Sequence, residues 1–585
     1  MKISKVKVKN YRNIEDIDID LNRLVIFIGD NNSGKSNLLK AITFPFLNSE
    51  VGGVTKNLGW NDINHKAKQS YFEFIERNLE SIKNNTIPLE SFVDAIPIVS
   101  VQVHLLPEVG EEFYVKKWIL SIDEEDKTEY AIQYIFHIEK TKELLEHVRA
   151  VLEYEDSIEN IKMNLLPIEL YTYSIIVPST KVSAGFSDLN QFKYNSLAAE
   201  RDDFSNKHNQ LGSKALVSLL NSKLTEEQKV KVEISYERFF DELKGISNLD
   251  GIFNWQNRSE IENAKAFFEE ITLLPNMPSM NSLLNNVRLG YGEEYLHTQG
   301  LGYRNLVYLL VMMNSLENNE DDVLNLLTIE EPEAHLCVSN ERLLSSFINS
   351  TISNAKNTQL FISTHSPEFL NKLELKNVVV VTEGNAFSLM SCMKVADLDY
   401  LAKKPNLDFL KYLFSRKCVL VEGPTEEMLI KSYLANQKNS LNDIYVISLH
   451  KGFTKMIDLW LKVNEDSSNM LGIIRDFDNQ PKAQENHEQY NQHTNICIKT
   501  TDSYTLETEF VRENGNFKIL KKYFEINHSW EGIETPDLLS DKWRAAKTDV
   551  MLRFCQDIGS EDLKEIKLPQ HIAGVLHFLE TGEKA

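Results

Sequence analysis

The sequence is poor in cysteine, and its cysteines are too scattered to organise a fold. It has five in 585 residues, and no two of them form a Cys-x-x-Cys pair. An odd number without close spacing argues against both a disulfide framework and a zinc cluster. We therefore expect reduced, buried thiols at all five positions, which are Cys337, Cys392, Cys418, Cys497 and Cys555.

Long hydrophobic runs and flexible linkers are also missing. The longest apolar stretch, residues 306–313, is far shorter than the roughly 18 residues that a membrane-spanning helix needs. The basic first residues alternate like a strand and include no apolar segment of the kind found in secretory signals. We expect a cytoplasmic protein without a membrane partner.

Positive charge is in short supply. The 63 basic side chains are outnumbered by 86 acidic ones, which gives a formal net charge of -23. This balance argues against a protein that coats nucleic acid without specificity. It does not exclude DNA as a substrate, because an enzyme that holds divalent cations carries clustered carboxylates and can confine its DNA contacts to local patches.

A glycine-rich phosphate-binding loop is the first strong motif. Residues 29–36 read Gly-Asp-Asn-Asn-Ser-Gly-Lys-Ser, directly after an apolar strand and before a helix. In such a loop backbone N–H groups face the phosphates, the lysine reaches the outer phosphates and the serine hydroxyl ligates Mg²⁺. A chance glycine turn is the alternative, which the strand-helix context disfavours. We predict an ATP site that uses Gly29, Asn32, Gly34, Lys35 and Ser36.

Two later segments are typical of a P-loop ATPase. An apolar strand ends in Glu330 and Glu331. We predict that Glu330 binds Mg²⁺ through water and that Glu331 polarises the attacking water. Past another apolar strand stands His365, where an imidazole can reach a γ-phosphate. The alternatives are a solvated helix start for the two acids and a structural role for the histidine.

The order of P-loop, acidic strand and strand-end histidine resembles the ABC-type ATPases. In that family a glycine-containing signature segment completes the nucleotide site across a dimer, and the matching segment here includes Gly300. A helix-start turn without a partner is the alternative. Arg12 lies in a turn that resembles the aromatic-Arg-Asn segment of the repair-type members. The resemblance also implies a helical insertion at about residues 66–275, used for dimerisation or DNA contact.

Acids collect at the ends of two strands in the C-terminal part of the chain. One apolar strand ends in Glu422, and a Gly-Pro turn places Glu426 in the first turn of the following helix. Another strand ends in Asp476, and Asp478 lies on the same face two residues later. Packed carboxylates repel one another unless a cation neutralises them. We predict that these four acids hold Mg²⁺ or Mn²⁺, with two unrelated surface turns as the alternative.

The order Glu-Gly-x-x-Glu, strand-end Gly452 and Asp-x-Asp resembles the Toprim domain of topoisomerases, bacterial-type primases and certain nucleases. Behind an ABC-type ATPase, the combination resembles the OLD (overcoming lysogenization defect) family of ATPase-nucleases over the whole chain. This resemblance implies an α/β protein with an ABC-type ATPase domain at residues 1–400 and a Rossmann-like Toprim nuclease domain with a parallel sheet at residues 401–585.

The family resemblance implies two further nuclease residues, Glu507 and Lys547. The lysine would offset charge on the reacting phosphate, and Lys542, Arg544 or Arg553 are alternatives for that role. Exposed solubilising charge is the alternative for both predicted residues. Basic segments with aromatic neighbours, residues 517–523 and 542–544, are further candidates for phosphate contacts and base stacking, with ordinary helix surface as the alternative.

The implied function is an ATP-regulated, divalent-metal-dependent DNA endonuclease that makes nicks or double-strand breaks in anti-phage defence. Members of Gabija-like and retron-associated systems act alone or beside a helicase-like subunit or a retron reverse transcriptase with its RNA-DNA product. A homodimer or higher homo-oligomer is expected. The alternatives are a non-cleaving ABC-type DNA clamp or repair ATPase, an NTP-gated regulatory scaffold and, ranked last, a Toprim polymerase or topoisomerase.

Overall fold

The computed structural model describes most of the chain. The described residues are 1–49, 57–122, 127–155, 157–198, 211–246, 279–285, 287–317, 322–403, 408–436, 443–449, 452–477, 481–502 and 505–584. The chain divides into two compact units. The first comprises Met1–Phe27, Gly34–Leu373 and Glu383–Phe387, and the second comprises Ile28–Ser33, Glu374–Thr382 and Ser388–Ala585.

Strands occur throughout the described ranges. In chain order they are β1 (Lys2–Tyr11), β2 (Ile14–Asp20), β3 (Leu24–Ile28), β4 (Leu47–Asn48), β5 (Val99–Leu106), β6 (Ile119–Ile122), β7 (Thr128–Ile138), β8 (Tyr171–Ile176), β9 (Phe192–Leu197), β10 (Gly290–Tyr291), β11 (Glu294–Tyr295), β12 (Leu324–Glu330), β13 (Thr358–Ser363), β14 (Val378–Thr382), β15 (Asn385–Ser388), β16 (Lys417–Val421), β17 (Ile444–Ser448), β18 (Met470–Arg475) and β19 (Ile496–Thr500).

Helices alternate with these strands. In chain order they are α1 (Lys35–Thr43), α2 (His65–Arg77), α3 (Leu79–Lys83), α4 (Leu89–Ala95), α5 (Glu112–Val115), α6 (Thr141–Tyr154), α7 (Ile158–Leu165), α8 (Phe186–Leu189), α9 (Leu211–Lys223), α10 (Glu226–Ile246), α11 (Met280–Leu284), α12 (Leu301–Glu317), α13 (Val338–Asn354), α14 (Pro367–Lys372), α15 (Leu389–Cys392), α16 (Val395–Ala402), α17 (Phe409–Phe414), α18 (Pro424–Asn436), α19 (Phe453–Asn464), α20 (Pro481–Glu488), α21 (Leu506–Arg512), α22 (Asn516–His528), α23 (Pro536–Asp557) and α24 (Gln570–Thr581).

The first unit contains an antiparallel sheet in the order β2-β1-β5-β7-β6, with β8 also paired to β7. Strand β1 shows why it forms, because Val6 and Val8 are fully buried while the lysines between them face away from the core. Lys7 pairs with Asp18 of β2 at 3.1 Å. Such exposed cross-strand pairs add little stability, so the buried face supplies most of the stabilisation.

A parallel sheet in the first unit carries the P-loop strand. Its order is β4-β9-β12-β13-β3, and all these neighbours are parallel. Strands β12 and β13 are buried along nearly their whole length, as expected for a parallel sheet covered on both faces. The carboxyl ends of β3, β13 and β12 lie at one edge, and the predicted nucleotide-binding residues follow these strands.

The predicted helical insertion, residues 66–275, contains strands as well as helices. Strands β5 to β8 belong to the antiparallel sheet and β9 belongs to the parallel sheet. The longest helices described in this range are α10 and α6. The amphipathic stretch predicted at residues 259–273 lies outside the described residues, and the role of the range as a dimerisation arm stays a prediction.

The second unit contains a four-stranded parallel sheet in the order β17-β16-β18-β19. Helix α18 begins at Pro424, a residue suited to the first helical position because it has no N–H to leave unbonded. Helix α24 packs on β18 and β19. The core beside them includes an aromatic cluster formed by Phe510, Phe524, Trp543 and Phe554.

The cysteine prediction was wrong for two of the five residues. Cys418, Cys497 and Cys555 are buried free thiols, whereas Cys337 is exposed and Cys392 is half-buried. Cys337 stands immediately before α13 at the surface, a position that the sequence pattern around it does not distinguish from a core position. No helix in the described part of the chain is both long and apolar enough to cross a lipid bilayer.

The contact between β18 and α24 generates a stability prediction. A Cβ added at Gly472 would lie 2.4 Å from Cγ1 of Val575, a stiff side chain that cannot swing away, so we expect Gly472→Ala to lower the free energy of unfolding by roughly 1–3 kcal/mol. Gly574→Ala is the matched control, since its Cβ would meet Lys499 no closer than 3.5 Å and alanine favours a helix. Thermal unfolding of the metal-free chain measures both, and equal midpoints for the two variants would contradict this packing.

Candidate functional site

The phosphate-binding loop adopts a backbone that only its own residue types tolerate well. Gly34 has a φ of 118°, and a Cβ there would lie 2.8 Å from the side-chain nitrogen of Asn13. At Gly29 a Cβ would lie 2.2 Å from the carbonyl oxygen of Val381. Asn32 has a φ of 65°, a left-handed conformation that asparagine accepts more readily than most residues. The loop therefore has the tight geometry that phosphate binding requires.

Arg12 is anchored beside the first helix after this loop. Its Nε donates to Oδ1 of Asp62 at 2.8 Å, and its Nη1 donates to Oδ1 of Asn37 in α1 at 2.9 Å. The Asn37 side chain in turn donates to Asn13 at 2.8 Å. The structure thus brings the predicted Arg12 next to the helix that Lys35 begins, but two of its donors already have protein acceptors.

The acidic strand and the strand-end histidine meet at the same sheet edge. The Ser36 hydroxyl donates to Oε2 of Glu330 at 2.7 Å, the pairing expected of two groups that share one Mg²⁺. Nε2 of His365 lies 3.9 Å from Oε1 of Glu331. Glu331, the first residue after β12, has a φ of 45°, which lies in the left-handed region. Lys35 begins α1 and is only 7% exposed.

Glu333 is a further residue of this edge that the sequence analysis did not predict. Its Oε1 accepts the Thr364 hydroxyl at 2.8 Å and the backbone N–H of His365 at 2.7 Å. Burial raises the pKa of the Glu333 carboxyl, and the bonds from His365 and Thr364 act in the opposite direction. Glu333 therefore holds the segment that carries the histidine. Its signal in the sequence was a third acid one residue past Pro332.

The predicted signature segment lies at the start of α12. A Cβ at Gly300 would meet no atom within 4 Å, so the local structure does not require glycine there. At Gly302 a Cβ would lie 2.4 Å from the carbonyl oxygen of His335. The close backbone approach in this segment is thus at Gly302, and a role for Gly300 stays a prediction.

The second group of predicted residues follows the carboxyl ends of the four-stranded sheet. Glu422 follows β16, Asp476 follows β18 and Glu507 lies in α21 after β19. Leu420 pairs with Ile473 in the parallel register, so Glu422 lies level with Arg475, the residue before Asp476. Glu422, Asp476 and Glu507 therefore follow three neighbouring strands at one edge of the sheet, and their role in holding a cation stays a prediction.

Glu426 and Glu507 are two buried carboxylates of this region. They are 7% and 8% exposed. Burial raises the pKa of the Glu426 carboxyl, and the charge of Glu507 raises it further. A bound cation would remove both penalties, because it replaces the lost hydration and offsets the repulsion. The pair therefore has the electrostatic character of a cation site.

Its neighbour Glu427 faces different surroundings. Burial acts to raise the pKa of the Glu427 carboxyl, but hydrogen bonds from Lys431 and Ser448 outweigh it and hold that pKa below its usual range. The Ser448 N–H lies 3.0 Å from Oε2 of Glu427. In one helical turn, the surroundings of Glu426 therefore disfavour its charged form, whereas those of Glu427 favour it.

A buried arginine lies among the acids. Arg475, the last residue of β18, is 4% exposed, and its Nε is 3.9 Å from Oε1 of Glu422. Its Nη1 is 2.9 Å from Nδ1 of His487, and its Nη2 donates to the carbonyl oxygen of Asp476 at 3.3 Å. The sequence analysis missed this residue, although a charged side chain at the end of an apolar strand was a signal.

Two predicted nuclease residues cannot be placed with their side chains. Asp478 lies outside the described residues, and Lys547 belongs to α23, where only its backbone is described. Within the described ranges, no three or more His, Cys, Asp and Glu side chains form a group that could hold a metal ion. Mg²⁺ is commonly held by one or two carboxylates together with water and phosphate, so the donors that are described fit such an ion.

The prediction of exposed aromatic residues for base stacking was wrong. Trp543 is fully buried and Tyr523 is 3% exposed. The Tyr523 hydroxyl donates to Asp557 at 2.7 Å, and Arg544 pairs with Asp541 at 2.6 Å. These aromatics face the core because α22 and α23 each present an apolar stripe to it. The charged side chains of these segments remain at the surface, and Phe517 is half-buried.

Comparison with known families decides the assignment. A family model described as AAA ATPase domain matches residues 1–370, which is more than half of the chain. The chain belongs to this family. A second model, described as overcoming lysogenization defect protein-like, TOPRIM domain, matches residues 413–478. The two matches confirm the predictions of an α/β ATPase domain joined to a Toprim domain and of an OLD-type ATPase-nuclease.

Similar proteins include two endonucleases. Endonuclease GajA of Bacillus cereus (strain HuB5-5) is 21% identical, with 76% of this chain and 69% of that protein covered. Endonuclease GajA of Bacillus cereus (strain VD045) is 22% identical, with coverages of 74% and 68%.

Among solved structures, the SMC head domain from Thermotoga maritima is 14% identical and covers 66% of this chain and 98% of its own, with a TM-score of 0.28. The SMC head bound to the C-winged helix domain of ScpA is 13% identical and covers 67% of this chain and 100% of its own, with a TM-score of 0.32. Scores this low do not bear on the fold.

Glu426 and Glu427 give a pair of opposite predictions for the metal-free chain. A raised folded-state pKa means that Glu426 costs stability as the pH rises above the ordinary carboxyl pKa of 4.5, so Glu426→Gln should raise the thermal midpoint at pH 7.5 by about 2–4 °C. The lowered pKa of Glu427 stabilises the fold above pH 4.5, so Glu427→Gln should lower the midpoint at pH 7.5.

Thermal unfolding in a chelator measures this pair. The Glu426→Gln difference should shrink as the pH falls from 7.5 toward 4.5, whereas the Glu427→Gln difference should be lost as the pH falls below 4.5. A Glu426→Gln midpoint below that of the wild type at pH 7.5 would show that the buried carboxylate is already compensated.

Proposed function

We propose that the chain is an ATP-regulated, divalent-metal-dependent DNA endonuclease. The observation that carries the proposal is the buried carboxylate pair Glu426 and Glu507 at the strand ends that also deliver Glu422 and Asp476. A carboxyl whose pKa is raised by burial and by a neighbouring acid is a candidate for a functional site. An OLD-like TOPRIM match over this region supports the same assignment.

In this proposal Glu422, Glu426, Asp476 and Asp478 hold Mg²⁺ or Mn²⁺. When bound, such ions supply a polarised water and charge neutralisation for in-line cleavage of a phosphodiester. Glu507 helps Glu426 to bind the cations. Lys547 offsets the negative charge on the reacting phosphate. The acids at the strand ends orient the cations, and the buried guanidinium of Arg475 holds Glu422 and Asp476 in place around them.

The proposed ATPase residues belong to the phosphate-binding loop and to the segments that follow β12 and β13. The loop at residues 29–36 cradles the phosphates of ATP, with Lys35 on the outer phosphates and with Ser36 and Glu330 around the Mg²⁺. Glu331 polarises the attacking water, and His365 lies beside it within reach of the γ-phosphate. Arg12 and Gly300 complete the nucleotide site. ATP binding and hydrolysis would regulate access of DNA to the nuclease acids.

A defence role follows from the OLD resemblance and from the GajA relatives. DNA is the proposed substrate, and a cytoplasmic location follows from the use of DNA and ATP. The resemblance to ABC-type ATPases supports a homodimer or higher homo-oligomer. A helicase-like subunit, or a retron reverse transcriptase with its RNA-DNA product, is the proposed class of partner.

Plasmid cleavage tests the nuclease assignment. We expect the wild-type chain to nick or cut supercoiled plasmid with Mg²⁺ or Mn²⁺, and Glu422→Gln to reduce the rate by about 100-fold or more because a lost ligand removes several kcal/mol of stabilisation. Nucleotide binding should survive in Glu422→Gln, and Lys35→Ala should lose nucleotide binding instead.

Glu427→Gln is the matched control and should cleave as the wild type does. Cleavage by Glu422→Gln at the wild-type rate would overturn the acid assignment. A wild-type chain that binds DNA but cuts it with neither ion, with or without ATP, would support the non-cleaving clamp instead.

A kinetic experiment tests Glu331. Glu331→Gln should lower kcat for ATP hydrolysis by about 100-fold, because a general base contributes at least that factor, while the Kd for ATP stays unchanged. Glu374→Gln, an exposed carboxyl paired with Lys376, is the control. An unchanged kcat in Glu331→Gln would assign the water-polarising role to another group.

A further inference from the structure

The backbone of Asp476 is held on both sides by one residue of the neighbouring strand. Thr501, the first residue after β19, donates its N–H to the carbonyl oxygen of Arg475 at 3.0 Å. Its hydroxyl oxygen accepts the N–H of Phe477 at 2.8 Å. The two residues that flank Asp476 are thus both bonded to Thr501, which is 2% exposed.

The second of these bonds departs from the regular ladder. Arg475 pairs with Thr500 in the parallel register of β18 and β19. If the ladder continued, the Phe477 N–H would reach the backbone carbonyl of Thr501. The Thr501 hydroxyl takes that place instead. The Thr501 side chain therefore ends the backbone ladder between β18 and β19 at Phe477, next to Asp476.

A third contact acts on the same peptide. Nη2 of Arg475 donates to the carbonyl oxygen of Asp476 at 3.3 Å. With the flanking N–H and carbonyl groups bonded to Thr501, the backbone around Asp476 has little freedom to rotate. The backbone at Asp476 is thus held by Arg475 and by Thr501, and Thr501 is not itself one of the proposed cation ligands.

We propose that Thr501 is a positioning residue, which aims Asp476 at the cation site through the backbone of Phe477. The inference deepens the proposed function and rests on it, because it takes Asp476 as a cation ligand. A valine at this position would keep the shape of the side chain and leave the Phe477 N–H without its acceptor. Outer partners of metal ligands typically change metal affinity by about 10-fold to 100-fold when they are lost.

The test uses the full chain and three substitutions. Thr501→Val removes the acceptor, and Thr501→Ser restores it. Thr500→Val is the matched control, since the Thr500 hydroxyl lies 3.3 Å from Glu488 and makes no bond to the Asp476 segment. Calorimetric titration with Mn²⁺, without DNA or nucleotide, should give a Kd about 10-fold weaker for Thr501→Val and unchanged values for the other two.

Hydrogen exchange supplies a second readout that does not depend on activity. The backbone N–H of Phe477 should exchange about 10-fold faster in Thr501→Val than in the wild type, Thr501→Ser or Thr500→Val. The thermal midpoint without metal shows whether each variant is folded.

The outcomes separate this inference from the function it rests on. Wild-type binding of Mn²⁺ together with equal binding by Thr501→Val overturns the positioning role alone. Equal weakening by Thr500→Val and Thr501→Val also overturns it, because the effect would then be a general loss of stability. A wild-type chain that binds no Mn²⁺ overturns the proposed cation site and the inference with it.

Discussion

In a parallel sheet every strand delivers its next residue to the same edge, and both candidate sites depend on this constraint. In the first unit β12 and β13 end level with each other, so Glu330 and the segment before His365 emerge side by side. In the second unit the same geometry brings together Glu422 and Asp476. No long loop is needed to build either site, because the backbone ladder sets the spacing.

The cost of this arrangement is electrostatic. Side chains at such an edge are half-buried by the helices that follow each strand, and like charges collect there. The chain meets the cost differently at neighbouring positions. Glu333 is bonded to a hydroxyl and an N–H, and Glu427 is bonded to a lysine and an N–H. The carboxyl of Glu426 accepts the Thr425 hydroxyl at 3.1 Å but also has Glu507 as a charged neighbour. The less compensated carboxylates are those with the stronger reason to hold a cation.

The strand-end acids and the phosphate-binding loop could be predicted because each motif is local, and its spacing along the chain maps directly onto a strand and the turn after it. Glu333, Arg475 and Thr501 could not be predicted in this way. Their contacts join segments that are 12 to 32 residues apart, or adjacent strands whose register a single sequence does not reveal.

The exposed stacking role expected of Trp543 failed for a related reason. Its basic neighbours indicated surface, but the helical repeat places residues next to each other in sequence on different faces of α23. An alternation of charge and aromatic residues therefore fits an amphipathic helix as well as a nucleic-acid contact. Burial of the aromatic side chains distinguishes an amphipathic helix from a nucleic-acid contact. That burial depends on how α22 and α23 pack together.

The left-handed backbone of Glu331 has an evolutionary consequence. A residue with a Cβ pays about 1 kcal/mol for that conformation, and glycine would not. Selection for thermal robustness alone would favour glycine at this turn. A carboxylate at this position therefore exchanges some stability for its proposed catalytic role. Relatives that do not hydrolyse ATP should be free to replace it.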